Sequence, residues 1–283
     1  MNNISKILFA AALIFCVQGS TAFANNLQTE DKAMTRTEIC KKNYSELFGG
    51  EALAKTGTDA EFMAILQKSI FGEVFTIGNL DNKTREMLTV VSLTTQQALP
   101  QLKAHTNAAL NVGVSPIELR EAIYQCAPFI GFPKTLNAIS VMNDAFKERG
   151  IQLPLEDTTT TTEESRFSDG FAIQNPLYGD EIKEALSGLP DDMGEDVARM
   201  LTEVCFGDFY TRKGLDVKTR ELLIVGLLVT TGNTQTLKSH IRGNIKAGNS
   251  PETIAAAIIQ VMPYTGFPNA IAALKILKTE MSE

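Results

Sequence analysis

Only two histidines occur in the 283 residues, and each stands nineteen residues after a glutamate: Glu86 before His105, and Glu221 before His240. Imidazole is the side chain that exchanges protons near neutral pH. A carboxylate beside it can fix its tautomer or share its proton, which is the usual equipment of acid–base catalysis. The two pairs are copies. Asp81-Asn-Lys-Thr-Arg-Glu86 leads to Leu102-Lys-Ala-His105, and Asp216-Val-Lys-Thr-Arg-Glu221 leads to Leu237-Lys-Ser-His240, at a constant offset of 135 residues. From Phe71 to Asn143 the copies align without a gap, with 27 identities over 73 positions, so the chain is a tandem duplication. A single histidine on an apolar helix stripe is more often a packed core residue. Two that stand at matched positions among diverged neighbours point to chemistry.

The elements that must position these groups are helices. Asp81 caps the helix that carries Glu86, and Met87, Leu88, Val90, Val91 and Leu93 cover most of its circumference with apolar groups. Its copy, Leu222 to Val229, is apolar almost all round, which places both helices in the interior. Burial works against a charged carboxylate there, while Arg85, Arg220 and the helix N-terminus favour it. Leu102, His105 and Ala109 lie at i, i+3 and i+7, on the apolar edge of the next helix, which starts near Pro100 and ends at Gly113. Ser115-Pro116 and Ser250-Pro251 read as cap and first helical residue of helices through Cys126 and Val261, broken by Pro128 and Pro263. Gly131-Phe-Pro133 and Gly266-Phe-Pro268 read as helix–helix turns, with final helices over 134–149 and 269–280. Phe129, Phe132, Tyr264 and Phe267 are expected in the core or the pocket wall. Upstream, Thr37 to Phe48 forms a first helix stopped by Gly49-Gly50, and Asp59 caps another through Phe71. Leu47-Phe48-Gly49 resembles Leu177-Tyr178-Gly179. No alternating strand is present. The fold expected is all-α, two helical repeats packed as a pseudo-twofold dimer: repeat one over 36–150, a threonine-rich solvated linker over 151–168, and repeat two over 169–283.

Residues 1–24 read as a secretory signal peptide, with Lys6 before the apolar run Ile7 to Val17 and Ala22-Phe-Ala24 at the cleavage site. The mature protein is then exported, periplasmic or secreted, and no membrane attachment is expected after cleavage. Removing the one lysine takes the net charge from −7 to −8, with no basic tract, which excludes nucleic acid as a partner. Cys40, Cys126 and Cys205 remain, an odd number without a disulfide framework, and read as buried free thiols. One histidine per repeat without cysteine at ligand spacing falls short of a zinc set, so no metal site is expected. A phosphate loop and a nucleophile motif are likewise missing from the sequence.

These residues resemble the carboxymuconolactone decarboxylase family, which includes the alkylhydroperoxidase-D-like proteins. The resemblance covers almost all of both repeats. It is most specific in Leu237-Lys-Ser-His240-Ile-Arg242-Gly243-Asn-Ile-Lys-Ala-Gly248 and Tyr264-Thr-Gly-Phe-Pro268, and repeat one has Asn107 where repeat two has Arg242. It implies an all-helical fold in which two family units build each pocket, a cofactor-free reaction on a small-molecule substrate, and a homo-oligomer of the pseudo-dimeric chain. The peroxidase branch carries Cys-x-x-Cys ending four residues before the histidine. Here those windows read Ala98-Leu-Pro-Gln101 and Asn233-Thr-Gln-Thr236, without the thiolate pair that peroxide reduction needs. That leaves the decarboxylase-like branch, with decarboxylation or isomerisation of a small carboxylated lactone-type substrate: Glu86, His105, Glu221 and His240 as acid–base residues, and Arg242 holding a substrate carboxylate through its planar fork. The alternatives are a peroxiredoxin-type oxidoreductase, disfavoured by those windows, and a non-catalytic binding or oligomerisation module, which the lack of Glu–His contact would favour.

Overall fold

An aspartate opens each helix that carries a glutamate of the pairs, and a serine opens the helix that follows each histidine-bearing one. Asp81 accepts the Thr84 N–H at 2.8 Å and Asp216 the Thr219 N–H at 2.7 Å. Ser115 and Ser250 do the same for Glu118 and Thr253. Each cap satisfies a backbone donor the helix leaves unpaired and contributes about 1 kcal/mol. The computed structural model describes residues 33–282, so the signal-peptide expectation for 1–24 falls outside them. Every regular element among the described residues is helical.

Repeat one comprises α1 (Arg36–Phe48), α2 (Ala60–Gly72), α3 (Asn82–Gln96), α4 (Leu99–Asn111), α5 (Pro116–Tyr124), α6 (Ala127–Ile130) and α7 (Phe132–Glu148). Repeat two comprises α8 (Arg166–Tyr178), α9 (Glu181–Ala185), α10 (Met193–Met200), which runs into a π-helical stretch Leu201–Tyr210, and then α11 (Val217–Thr231), α12 (Thr234–Lys246), α13 (Pro251–Thr265) and α14 (Phe267–Glu280). Both ends of α11 and α12 lie 135 residues after those of α3 and α4, whereas α8 follows α1 at an offset of 130. The central helices α3 and α11 pack on each other with Leu88, Val90, Val91, Leu223, Ile224 and Val225 fully buried. Arg85 Nη1 donates to Gln260 Oε1 at 2.9 Å, and Arg220 Nη1 donates to Gln125 Oε1 at 3.4 Å. That exchange of equivalent bonds across the repeats is the pseudo-twofold. Each arginine also bonds backbone carbonyls of its own repeat, so its side-chain partners come from the opposite repeat rather than from the glutamate beside it.

Two sequence landmarks acquire reasons. A Cβ on Gly72 would lie 2.5 Å from the Arg36 carbonyl oxygen, and one on Gly207 would lie 2.3 Å from that of Arg166. The glycine after each phenylalanine lets α1, or α8, cross backbone to backbone. Gly131 and Gly266 have φ of 87° and 84° with ψ near 155°, a conformation essentially reserved for glycine. The helix begins at once after each, at Phe132 and Phe267, two residues earlier than expected, with Pro133 and Pro268 tolerated in the first turn.

Other expectations are corrected. Pro263 does not break its helix: α13 continues through it to Thr265, where so near the end only one backbone bond is forfeited. Phe132 and Phe267 are exposed rather than core, while Phe129 and Tyr264 do pack inward. The segment 151–168 is exposed along most of its length, as expected of a linker, yet it is anchored at several points. Ile151, Leu153 and Leu155 pack against the main core, Thr158 is buried, and α8 already begins at Arg166. Thr158 donates to Glu121 Oε1 at 2.8 Å and accepts from Arg120 and Arg212, at 2.9 and 2.8 Å. Glu121, itself fully buried, also receives Arg212 Nε at 3.0 Å and Arg220 Nη2 at 3.2 Å. The threonine hydroxyls replace water with side-chain and backbone partners from both repeats, so the joint is a strap.

Candidate active site

Adjacent antiparallel helices joined by a short loop bring each pair together. His105 Nδ1 lies 2.7 Å from Glu86 Oε2, and His240 Nδ1 lies 3.2 Å from Glu221 Oε2. Both glutamates are fully buried and both histidines nearly so. Each pair forms within its own repeat, across α3–α4 or α11–α12. What crosses the repeats is an aromatic ring. Tyr264 meets the His105 ring edge-on at 5.7 Å between centroids, and Phe129 meets His240 at 5.5 Å.

The two sites differ in their hydroxyls. In repeat two, Tyr178 donates to Glu221 Oε2 at 2.5 Å and lies 2.8 Å from His240 Nδ1. Tyr210 donates to Glu221 Oε1 at 2.8 Å, so both carboxylate oxygens are engaged. Asn244 braces the pair from behind, bonding the carbonyls of Glu221 and His240 at 2.9 Å each. Burial, then the charge of Glu221, holds both phenols well above the usual tyrosine range, so they remain neutral donors. In repeat one the matched positions are Phe48, Phe75 and Ala109, and Glu86 Oε1 is buried without a partner, as is the Tyr264 hydroxyl. Tyr178, Tyr210 and Asn244 were not singled out as site residues from the sequence. The signal was present: within the repeat pattern each replaces a residue that has no such polar group.

A cavity of about 500 Å³ opens on the repeat-two pair. His240, Tyr178 and Cys205 line it together with Phe129 from repeat one and Phe206 from the π-helical stretch. Its polar wall is Asn233, Gln235, Thr236, Ser239 and Glu181. A groove of similar size between the first turns of α3 and α11 contains neither histidine, so chemistry rather than volume distinguishes the site. Arg242 does not line the cavity. Two positions along a helix from His240 it lies on the far side of α12, where its guanidinium reaches Glu181 and Glu280 at 3.5 Å each. It therefore stands behind the mouth, with two carboxylates already on it.

The model of the carboxymuconolactone decarboxylase family matches residues 60–144 and 195–279, more than half of the chain. This chain belongs to the carboxymuconolactone decarboxylase family. The 4-carboxymuconolactone decarboxylase of Acinetobacter baylyi is 24% identical over 113 residues, 40% of this chain and 84% of that protein. The nitrosuccinic acid decarboxylase of Metarhizium robertsii is 37% identical over 117 residues, 41% of this chain and 82% of that protein. A solved structure from Burkholderia xenovorans, described as a gamma-carboxymuconolactone decarboxylase subunit, is 18% identical, with a TM-score of 0.49 over 86% of this chain and 96% of that one. In this family member Asn233, Gln235 and Thr236 of that window lie on the cavity wall and present two amides and a hydroxyl. Cys40, Cys126 and Cys205 are free and buried. Burial pushes all three thiols up, furthest for Cys126 and Cys205, which keeps them protonated and unreactive.

Proposed function

We propose that the chain is a decarboxylase-like enzyme acting on a small carboxylated lactone-type substrate, with His240 as general acid and Glu221 as its partner. One observation carries this reading: a buried carboxylate–imidazole pair, completed by neutral phenols, presents its imidazole to a cavity with one apolar and one polar wall. The two named relatives support the reaction type rather than one substrate, since both are decarboxylases yet of different acids.

In the proposed reaction the bond from the substrate carbon to its carboxylate breaks and carbon dioxide leaves. The electron pair passes toward the lactone carbonyl, and the Asn233 amide and the Thr236 hydroxyl supply donors for the oxygen that gains charge. With Nδ1 committed to the Tyr178–Glu221 side, Nε2 of protonated His240 is left to deliver the proton to carbon. An apolar wall strengthens those polar contacts by excluding water. Glu86 and His105 form a second pair of the same type, for which we propose acid–base capacity as well. Arg242 enters as a carboxylate anchor at the mouth only by exchanging Glu181 for the substrate.

Assay of a carboxylated unsaturated lactone, following loss of carbon dioxide, tests the reading. His240→Ala is expected to lower turnover by about 10²-fold or more while leaving the helical circular dichroism intact. Full turnover without the imidazole would overturn the assignment. The N-terminal pattern supports export as well, and sequencing the mature protein from a periplasmic or secreted fraction should find Asn25 first.

A further inference from the structure

The two active sites of this one chain are not equivalent, and the difference has a single hinge point. We propose that Tyr178 is a positioning residue for His240, wedged between the imidazole and Glu221, and that repeat one lacks this device. The inference rests on the acid–base reading above and deepens it by naming a residue that governs the proton on His240.

Three observations converge. Tyr178 donates to Glu221 Oε2 at 2.5 Å, and its oxygen lies 2.8 Å from His240 Nδ1, closer than the 3.2 Å that separates Nδ1 from the carboxylate. The one phenolic hydrogen goes to the carboxylate, so the oxygen accepts from Nδ1–H, and the chain reads imidazole to phenol to carboxylate. In repeat one the imidazole touches the carboxylate directly at 2.7 Å, and Phe48 stands where Tyr178 would. The third observation is independent of both. A Cβ on Gly243 would lie 2.4 Å from the Tyr178 hydroxyl oxygen, so glycine at that position is what makes room for the hydroxyl. The repeat-one counterpart of Gly243 is Ala108, opposite a phenylalanine that needs no room. Phenol with glycine and phenyl with alanine form two matched sets.

The chemical consequence is a different acceptor for the same N–H. In repeat one Nδ1–H bonds a charged carboxylate, a short charge-assisted contact. In repeat two it bonds a neutral phenol, and the carboxylate charge is shared between two hydroxyl donors. His240 therefore keeps the tautomer that leaves Nε2 for the cavity, with Nδ1–H held mainly by the phenol at 2.8 Å and the carboxylate more distant at 3.2 Å.

Because the described residues contain just two histidines, proton and nitrogen magnetic resonance of the imidazoles in the untagged, folded protein reads both sites separately. Two distinct Nδ1–H resonances are expected, that of His105 further downfield. Tyr178→Phe should move the His240 resonance toward that of His105, as the imidazole falls back on Glu221 directly, and should leave His105 unmoved. Gly243→Ala, which expels the hydroxyl, should act in the same direction. With substrate, Tyr178→Phe should reduce kcat on the order of tenfold while KM stays within about twofold. A His240 resonance unmoved by both substitutions would overturn the proposal. Should neither variant fold, the unsubstituted protein decides: a nuclear Overhauser contact between the Nδ1–H of His240 and the Tyr178 hydroxyl is required, and its absence refutes the wedge. The spectra need no substrate, so failure to observe decarboxylation would count against the reaction and not against this placement of the proton.

Discussion

Glu86 retains one buried oxygen without a partner, whereas Glu221 has both oxygens filled by phenols. A buried unpaired acceptor costs roughly 1–3 kcal/mol, so the repeat-one pair should be the less stable arrangement. Phe75→Tyr, which imitates Tyr210, is expected to raise stability by about 1 kcal/mol if the hydroxyl reaches Glu86, and denaturant unfolding measures it. At the thiols the expectation is silence. Burial holds Cys126 and Cys205 far above neutral pH, so neither should react with an alkylating reagent below pH 9 until the protein unfolds, as mass mapping of labelled peptides would show. The paired residues were legible in the sequence because histidine is scarce and its spacing from glutamate is repeated. The phenols were not: α8 follows α1 at 130 residues rather than 135, so Tyr178 leaves the gap-free register, while Tyr210 stays in it but stands opposite Phe75 and reads as one more core aromatic.

Between residues and the whole, the strap is the element whose composition misleads. Five consecutive threonines suggest a segment without a core, yet Thr158, Thr159 and Thr160 bond Glu121, Arg212 and the Thr211 carbonyl across both repeats. A threonine hydroxyl can accept and donate at once, as Thr158 does between Glu121 and two arginines, which a count of polar residues does not register. Thr158→Val should cost about 1–3 kcal/mol, since Glu121, Arg120 and Arg212 each lose a partner. Glu121 adds a pH signature. Burial alone would raise its carboxyl, but the bonds and charge of Arg212, with Thr158 and Arg220, bring it below the ordinary 4.5. Its stabilisation is therefore complete above pH 4.5 and is lost as the pH falls through the depressed folded value. Glu121→Gln should lower stability near neutrality by roughly 3–5 kcal/mol and flatten the acid limb of the stability–pH curve, both measurable by urea titration. Pro263 shows the converse error: a breaker rule that holds for helix interiors fails in a last turn, where little remains to break.

For the whole molecule, the duplication acts as an internal control on which surface features matter. Phe62 and Ile65 are exposed in repeat one, and Val197 and Met200 are exposed at the equivalent places in repeat two. Phe132 and Leu136 are likewise matched by exposed Phe267 and Ile271. Apolar exposure found twice at one register is a surface in use rather than scatter. We propose that further copies of this chain cover it, since a face present on both sides of a pseudo-twofold suits closed symmetric assembly. Light scattering should give a multiple of the chain mass, and joint Phe132→Ser and Phe267→Ser should reduce it to one chain with helical content unchanged. The helical class and the pseudo-symmetry could be read directly from the repeat. The assembly surface could not, because apolar residues at helical spacing look alike whether they face a core or a partner. The strap itself has an evolutionary consequence. In an assembly of identical units, a single codon change alters every site, so a phenol gained in one is gained in all. Here Thr158 and its neighbours keep two separately encoded halves together, and drift in one half is not copied to the other. Such a gene can hold one pocket constant while it tries variants in the second, a freedom no symmetric ancestor had.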